Sequence, residues 1–222
     1  MDLKQFKLVG GDLYSLGLVD SHGGSLSVRE GNTIHITRKG AMLGHLEESD
    51  ILAIPLDPTE GAGDASLELP VHRAIYKETA FKAVICARPP YAIALSSTAE
   101  NKLLLQDQEA QSILKSIPIV RAKARPNTDE VAKLLPAIYK SGYVACIVRD
   151  FGSFTVGEDL LEALKYATCL ENSCKSFAIS KPVSAPPAYK PKEPDRVRRS
   201  AIPPGIGVMG RASSFKRGMG RH

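Results

Sequence analysis

Two pairs of short apolar strands, each joined by a tight turn, constrain the fold of this chain most strongly. Leu26–Val28 and Ile34–Ile36 alternate apolar and polar residues on either side of a turn at Gly31. Tyr143–Val148 and Ser153–Val156 flank a second short turn. Strands separated by only a few turn residues fold into antiparallel hairpins. The chain is therefore expected to contain a sheet that is at least partly antiparallel.

Helical patterns are interleaved with these strands. The predicted helices cover residues 2–18, 66–79, 89–96, 127–142 and 159–177. Further short strands are predicted over residues 51–56, 83–87 and 117–120. Ser66 suits the N-cap of the second helix, which would place Glu68 in its first turn. Helices mixed with hairpins indicate an α/β fold in which helices pack on a mixed, largely antiparallel sheet.

The composition changes after residue 180, which predicts a folded domain over residues 1–180 and a basic, Pro- and Gly-rich tail over residues 181–222. Frequent prolines and few apolar residues leave the tail without a core of its own, so an extended or disordered segment is expected. The tail has ten Lys or Arg residues against two Asp or Glu residues, whereas the domain has 19 against 22. The formal net charge of +5 therefore comes from the tail.

The sequence also argues against several locations and redox states. No apolar run approaches the ~20 residues of a transmembrane helix, and the first eight residues lack the apolar stretch of a secretory signal. The four cysteines form no C-x-x-C pair, so reduced and mostly buried thiols are expected. They are Cys86, Cys146, Cys169 and Cys174. We therefore expect a cytoplasmic protein that does not associate with a membrane.

Five motifs follow one another along the domain. They are Gly24-Ser25-Leu26-Ser27-Val28-Arg29, Ile36-Thr37-Arg38-Lys39-Gly40, Ser66-Leu67-Glu68 with His72, the segment from Ala83 to Pro89, and the hairpin from Ile147 to Gly157. Their order resembles the class II aldolase and adducin family, which includes fuculose-phosphate and ribulose-phosphate-type enzymes. The resemblance runs from residue 5 to residue 178. It implies an αβα sandwich around a mixed sheet and a homo-oligomer, usually a tetramer with sites between subunits.

The positions that hold the metal in this family are changed. By the resemblance, the two histidines of its H-x-H motif correspond to Cys86 and Arg88, and the histidine of its later H-G motif corresponds to Phe151. Arginine is always cationic and only donates hydrogen bonds, and phenylalanine has no lone pair to offer a metal. A lone cysteine cannot make a site that needs three protein ligands. We therefore expect no metal cofactor, although the family uses zinc.

A site for an anionic small molecule is nevertheless expected. The resemblance places Ser25 where the family has asparagine and Lys39 where it has threonine or serine, while Ser66 is kept. The backbone amides of Gly24 and Gly40 could cradle an anion, and Lys39 adds positive charge. These five residues are the candidate anion-binding set.

Three further residues are candidates for surviving chemistry. Glu68 matches the acid/base residue of the family, and the alternative is a glutamate favoured only by the helix dipole. Arg88 would act as a fixed cation. Cys86 lies two residues away on the same strand face, where a nearby cation would lower the pKa of a reactive thiol. The alternative for Cys86 is an inert buried cysteine.

Three functions remain open from the sequence. The favoured one is a non-catalytic homologue of sugar-phosphate aldolases that has lost the zinc site and binds an anion or a partner. The second is a lyase or related enzyme acting on a small, phosphorylated sugar or hydroxy-carbonyl compound with Glu68 as acid/base. The third is an ordinary family aldolase. The basic tail is expected to dock on its own or a partner protein through the apolar run Ile202–Met209, with a solvated tail as the alternative.

Overall fold

The structure is a computed structural model that describes residues 1–57, 63–122 and 128–180. The predictions for the tail, for Asn127 and for the part of the loop at residues 58–62 lie outside these residues. The α-helices are α1 (Leu3–Ser15), α2 (Leu69–Glu78), α3 (Pro90–Thr98), α4 (Gln108–Ile113), α5 (Thr128–Lys140) and α6 (Leu160–Ser180). The strands are β1 (Ser25–Glu30), β2 (Thr33–Thr37), β3 (Ile51–Pro55), β4 (Ala83–Ala87), β5 (Lys102–Leu104), β6 (Ser116–Val120), β7 (Ala145–Val148) and β8 (Gly152–Gly157).

The eight strands form one sheet in the order β3-β2-β1-β4-β8-β7-β6-β5. β6 and β7 pair in parallel, and the other neighbouring strands pair antiparallel. Both hairpins predicted from the sequence are present, as β1-β2 and β7-β8. The α/β class and the mixed, largely antiparallel sheet are therefore confirmed.

Helices cover both faces of the sheet, and β4 at its centre shows how the faces divide. Val84 and Cys86 point to the face covered by α2 and α5, while Ala83, Ile85 and Ala87 point to the face covered by α1 and α6. This alternation follows from the two-residue period of a strand. All five residues are buried, as expected for a strand with helices on both sides. None of the described helices combines the length and the apolarity needed to cross a membrane.

Helix α2 begins at Leu69, so the predicted start at Ser66 is wrong. Glu68 occupies the N-cap position instead of the first turn, and its side chain makes no capping hydrogen bond. Pro70 stands in the first turn, where its missing N–H costs nothing. The segment from Ser66 to Glu68 is therefore a non-helical approach to α2, and the Glu68 carboxylate is available for other contacts.

Two short elements were not predicted, namely strand β5 and helix α4. β5 has three residues, of which one is buried, so it carries no readable alternation. α4 has six residues, and the Asp107 carboxylate accepts a hydrogen bond of 2.8 Å from Ala110 N at its start. Asp107 is an N-cap signal of the usual kind, but a helix this short lacks the apolar period that would support it.

A buried carboxylate from α6 fixes the beginning of α3. Glu171 Oε1 and Oε2 accept hydrogen bonds from the backbone N–H groups of Tyr91 and Ala92, each at 2.9 Å. Two of the first N–H groups of a helix, which have no partner within it, are satisfied in this way. Because α3 directly follows β4 and Pro89, this contact also holds the chain after Arg88 in place.

Glu171→Ala should lower the free energy of unfolding by about 1–3 kcal/mol, because a buried and a partly buried N–H group lose their acceptor. Denaturant unfolding followed by circular dichroism measures the change. Glu100→Ala, which removes an exposed glutamate, is the control and should change stability by less than about 0.5 kcal/mol. Equal stability of the two variants would contradict this role of Glu171.

Candidate functional site

Three strand ends meet at one end of the sheet and bring the candidate residues together. β1 begins, β4 ends and β8 begins at this end, because neighbouring strands there run antiparallel. In register, Ser25 lies opposite Cys86 and Ala87 lies opposite Ser153. Arg88 follows directly from β4 and stands at the centre of the group.

The Arg88 guanidinium makes four contacts with its surroundings. Its Nη2 donates to Glu68 Oε1 at 2.7 Å, which makes an ion pair. Its Nη1 donates to Cys86 Sγ at 2.8 Å and to Ala87 O at 3.2 Å. Its central carbon lies 3.9 Å from the centroid of the Phe151 ring, a cation–π arrangement. Only 22% of the Arg88 side chain is exposed, so these contacts, rather than solvent, set its orientation.

Gly152 makes room for Arg88 at the start of β8. A Cβ at this position would lie 2.2 Å from Ala87 O and 3.0 Å from Arg88 Nη1. Any other residue would therefore displace either the strand or the guanidinium. The glycine of the Phe151-Gly152 pair thus has a steric reason in this chain, namely the close approach of the Ala87 carbonyl and, after it, of the Arg88 side chain.

The turn between β7 and β8 carries Phe151 and is anchored to the end of α3. Arg149 Nη1 donates to Ser97 O at 3.1 Å, and Arg149 Nη2 donates to the carbonyl of Ala99. Phe151 stacks on Phe154 with 6.3 Å between ring centroids. Phe151 therefore has a defined position beneath the guanidinium.

Glu68 is held by two partners and is ionised at neutral pH. Its Oε2 accepts a short hydrogen bond from the Ser66 hydroxyl, and its Oε1 accepts from Arg88. Burial by itself raises the pKa of Glu68, but the Ser66 hydrogen bond and the Arg88 charge outweigh burial, and the pKa lies below its ordinary value. The carboxylate is therefore a weak base that serves first as the counter-ion of Arg88.

Cys86 is completely buried beneath Arg88. Burial raises the pKa of its thiol to about 12, although the charge of Arg88 acts in the opposite direction. Desolvation therefore outweighs the lowering of the pKa that the neighbouring cation would produce by itself. These observations favour the alternative of an inert, protonated thiol.

A buried polar network lies below the site and was missed by the sequence analysis. His72 Nε2 lies 3.0 Å from Ser25 Oγ, and His72 Nδ1 lies 2.6 Å from Ser27 Oγ. Ser27 Oγ also lies 2.7 Å from Tyr76 Oη. The signal was present in the spacing, since Ser25 and Ser27 share one strand face and His72 and Tyr76 lie one helical turn apart.

The five candidate anion-binding residues do not all reach one surface. Ser66 contacts Glu68, but Ser25 is fully buried and meets His72 instead of solvent. Lys39 and Gly40 follow β2 at the same end of the sheet and are exposed, and Lys39 N donates to Asp64 O at 2.7 Å. The candidate anion-binding residues therefore fall into two layers. Ser25 lies in the buried layer below Arg88, and Lys39 lies in the exposed layer.

The donor set at this end does not suit a metal ion. Within the described residues, no group of three or more His, Cys, Asp or Glu side chains could hold one. Arg88 brings a positive charge and no lone pair, Phe151 offers no donor atom, and the Cys86 thiol is protonated. A thiol binds metal as thiolate, so Cys86 would first have to lose its proton in an apolar environment.

Comparison with known proteins identifies the family. The family model described as "Class II Aldolase and Adducin N-terminal domain" matches residues 7–177 of this chain. This chain belongs to the class II aldolase and adducin family. L-fuculose phosphate aldolase of Methanococcus maripaludis (strain C7) is 30% identical over 172 residues, which cover 77% of this chain and 93% of that protein. Methylthioribulose-1-phosphate dehydratase of Acidiphilium cryptum is 28% identical and shares 76% of this chain and 88% of its own length.

A solved structure of this family has the same fold. The crystal structure of L-fuculose-1-phosphate aldolase from Thermus thermophilus superposes with a TM-score of 0.71 at 32% identity. The match covers 79% of this chain and 92% of that one. The family assignment made from the five motifs is therefore confirmed.

Glu68→Gln should lower the free energy of unfolding by about 2 kcal/mol at pH 7, because the charged partner of Arg88 is lost. The pKa of Glu68 is lowered in the folded state. The stabilisation by its carboxylate is therefore present above the ordinary glutamate pKa of about 4.3 and is lost as the pH falls through the lower folded value. Denaturant unfolding of both proteins over this pH range measures the difference.

The exposed Glu100 supplies the matched control, since Glu100→Gln makes the same chemical change away from Arg88. That variant should unfold like the wild type at every pH. A wild-type advantage over Glu68→Gln that stays constant or grows below about pH 4 would contradict the ion pair as its source.

Proposed function

We propose that this protein is a family member in which an arginine–glutamate ion pair replaces the zinc site, and that it binds a small anionic compound without catalysing aldolase chemistry. One observation carries the proposal. Arg88, at a position where the resemblance places a metal-binding histidine, forms a 2.7 Å ion pair with Glu68, at the position of the acid/base residue. The pair ties up both groups on which the family's metal-assisted reaction would depend.

The ion pair changes which ligands the site can take. Its two charges cancel, so a ligand must either displace Glu68 from Arg88 or offer a hydroxyl to Glu68 and a carbonyl oxygen to Arg88. Lys39 and the amides of Gly24 and Gly40 stay as the proposed contacts for a phosphate group. A phosphorylated hydroxy-carbonyl compound matches this combination, with the reactive end at the ion pair and the phosphate toward Lys39.

The second candidate function is a lyase or related enzyme with Glu68 as acid/base and Arg88 in place of the metal cation. The relatives favour it, because they are named as an aldolase and a dehydratase of sugar phosphates. The lowered pKa of Glu68 opposes it, since a base gains strength as its pKa approaches the working pH. A ligand that displaced Arg88 from Glu68 would remove part of this obstacle and leave the Ser66 hydrogen bond in place. An ordinary zinc-dependent aldolase is the third candidate, and it requires ligands that Cys86, Arg88 and Phe151 do not supply.

The remaining features of the proposal follow from the resemblance and the composition. We propose a cytoplasmic homo-oligomer, a tetramer by family resemblance, with residues 181–222 as a second contact element.

A sugar phosphate with a carbonyl group should raise the melting temperature of the wild type. Ligand at roughly ten times Kd contributes about 1.4 kcal/mol, which corresponds to a few °C. Arg88→Ala should abolish the shift, whereas Arg121→Ala, which removes an equal charge from an exposed residue elsewhere, should keep it. An unchanged shift in Arg88→Ala, or no shift with any such anion, would contradict binding at this site.

A metabolite screen separates binding from catalysis. Under the proposal, compounds that shift the melting temperature are recovered unchanged after incubation with the wild type. Conversion of one of them by the wild type, lost in Glu68→Gln, would establish the second candidate function instead.

A further inference from the structure

Four fully buried polar side chains form a continuous network between β1 and α2. Ser25, Ser27, His72 and Tyr76 all have 0% of their surface exposed. Each hydroxyl or ring nitrogen therefore needs a partner within the protein, because an unsatisfied buried polar group is costly. This requirement restricts the hydrogens of the network to a few mutually consistent arrangements.

The direction of the network follows from Tyr76, which has a single hydroxyl hydrogen. Tyr76 Oη donates it to the backbone carbonyl of Ser27 at 2.9 Å. The 2.7 Å contact between Ser27 Oγ and Tyr76 Oη must then use the hydrogen of Ser27. Ser27 Oγ has no second hydrogen, so at 2.6 Å it accepts from His72 Nδ1–H.

The tautomer of His72 decides the orientation of Ser25. Burial lowers the pKa of His72 to about 4, although the charge of Glu68 raises it, so the imidazole is neutral at pH 7. A neutral ring with its hydrogen on Nδ1 has a lone pair on Nε2. Ser25 Oγ therefore donates to His72 Nε2 across 3.0 Å and turns its own lone pairs the other way.

Cys86 is the cross-strand partner of Ser25, so the two side chains lie on the same face of the sheet. The Ser25 hydroxyl interacts with the Cys86 thiol, which is the last group between this network and Arg88. If the thiol directs its hydrogen to Ser25, a sulfur lone pair is left for Arg88 Nη1–H at 2.8 Å. The protonated state of Cys86 agrees with this arrangement, because burial raises the pKa of its thiol to about 12.

We infer that a one-directional chain of hydrogen bonds runs from Arg88 through Cys86, Ser25, His72 and Ser27 to Tyr76, and that it positions the Arg88 guanidinium. Cys86, Ser25 and His72 are positioning residues in this account, since they act through Arg88. Cys86 serves as a protonated relay and Ser25 as a buried acceptor, so neither contacts a ligand directly. This inference holds whether the site binds an anion or catalyses a reaction.

The ¹⁵N shifts of the His72 ring test the direction of the chain, because they distinguish a hydrogen on Nδ1 from one on Nε2. The wild type should show the hydrogen on Nδ1. In Tyr76→Phe, Ser27 loses its acceptor and should donate to Nδ1, which moves the ring hydrogen to Nε2. Tyr139→Phe is the control, since Tyr139 Oη makes an equivalent buried bond of 2.9 Å to Phe154 O outside the chain, and it should leave His72 unchanged.

The signals of the Arg88 Nη hydrogens, which make the contacts to Cys86 and Glu68, test the positioning role. Cys86→Ala removes the relay, and exchange of these hydrogens with water should accelerate by about tenfold, the effect of one net hydrogen bond. Cys86→Ser keeps both a donor and an acceptor and should stay near the wild-type rate. Glu68→Gln loosens Arg88 from its other side and shows that the signals respond to lost contacts.

Three results would overturn the inference. The first is a wild-type His72 with its hydrogen on Nε2 or on both nitrogens. The second is an unchanged tautomer in a folded Tyr76→Phe variant. The third is an Arg88 exchange rate that responds to Glu68→Gln but is the same in Cys86→Ala as in the wild type.

Discussion

The ion pair between Arg88 and Glu68 is the interaction on which the rest of the site depends. An arginine this little exposed requires a counter-charge, and Glu68 supplies it at 2.7 Å. The charge of Arg88 in turn helps to keep Glu68 ionised against the effect of burial. Each group therefore stabilises the charged form of the other. Together they form a neutral, hydrogen-bonded pair at the end of β4. The proposed loss of metal chemistry follows from this pairing as much as from the missing histidines.

The fold restricts the positions that Arg88 and its neighbours can adopt. Antiparallel pairing places the end of β4 between the starts of β1 and β8, while Glu171 fixes the helix that follows Arg88. Gly152 leaves the space that the guanidinium occupies, and Phe151 supplies an aromatic surface for it. A histidine pair would use the same strand end to hold a cation. Under the proposed function the cation is part of the chain, so the Arg88 guanidinium would stand where a metal ion is held in other family members.

Much of the fold could be predicted from the sequence, because hairpins and buried strands have strong local signals. The bounds of β4 were predicted correctly, because a run of five apolar residues shortly before Pro89 is typical of a short buried strand. The start of α2 was misplaced because Ser66 looks like an N-cap, whereas its hydroxyl is used by Glu68. The sequence left Cys86 open between a reactive thiol and an inert buried one, because it shows the neighbouring cation but not the depth of burial. The His72 network depends on contacts between β1 and α2, which no local pattern reveals.

Zinc content of the wild type and of a variant carrying Cys86→His, Arg88→His and Phe151→His tests the central claim most directly. The account predicts far less than one zinc per wild-type chain after purification with zinc present. It predicts about one zinc per chain in the variant, because three histidines would replace the cation, the aromatic ring and the buried thiol. Elemental analysis on folded, monodisperse protein gives both values. About one tightly held zinc per wild-type chain would contradict the account.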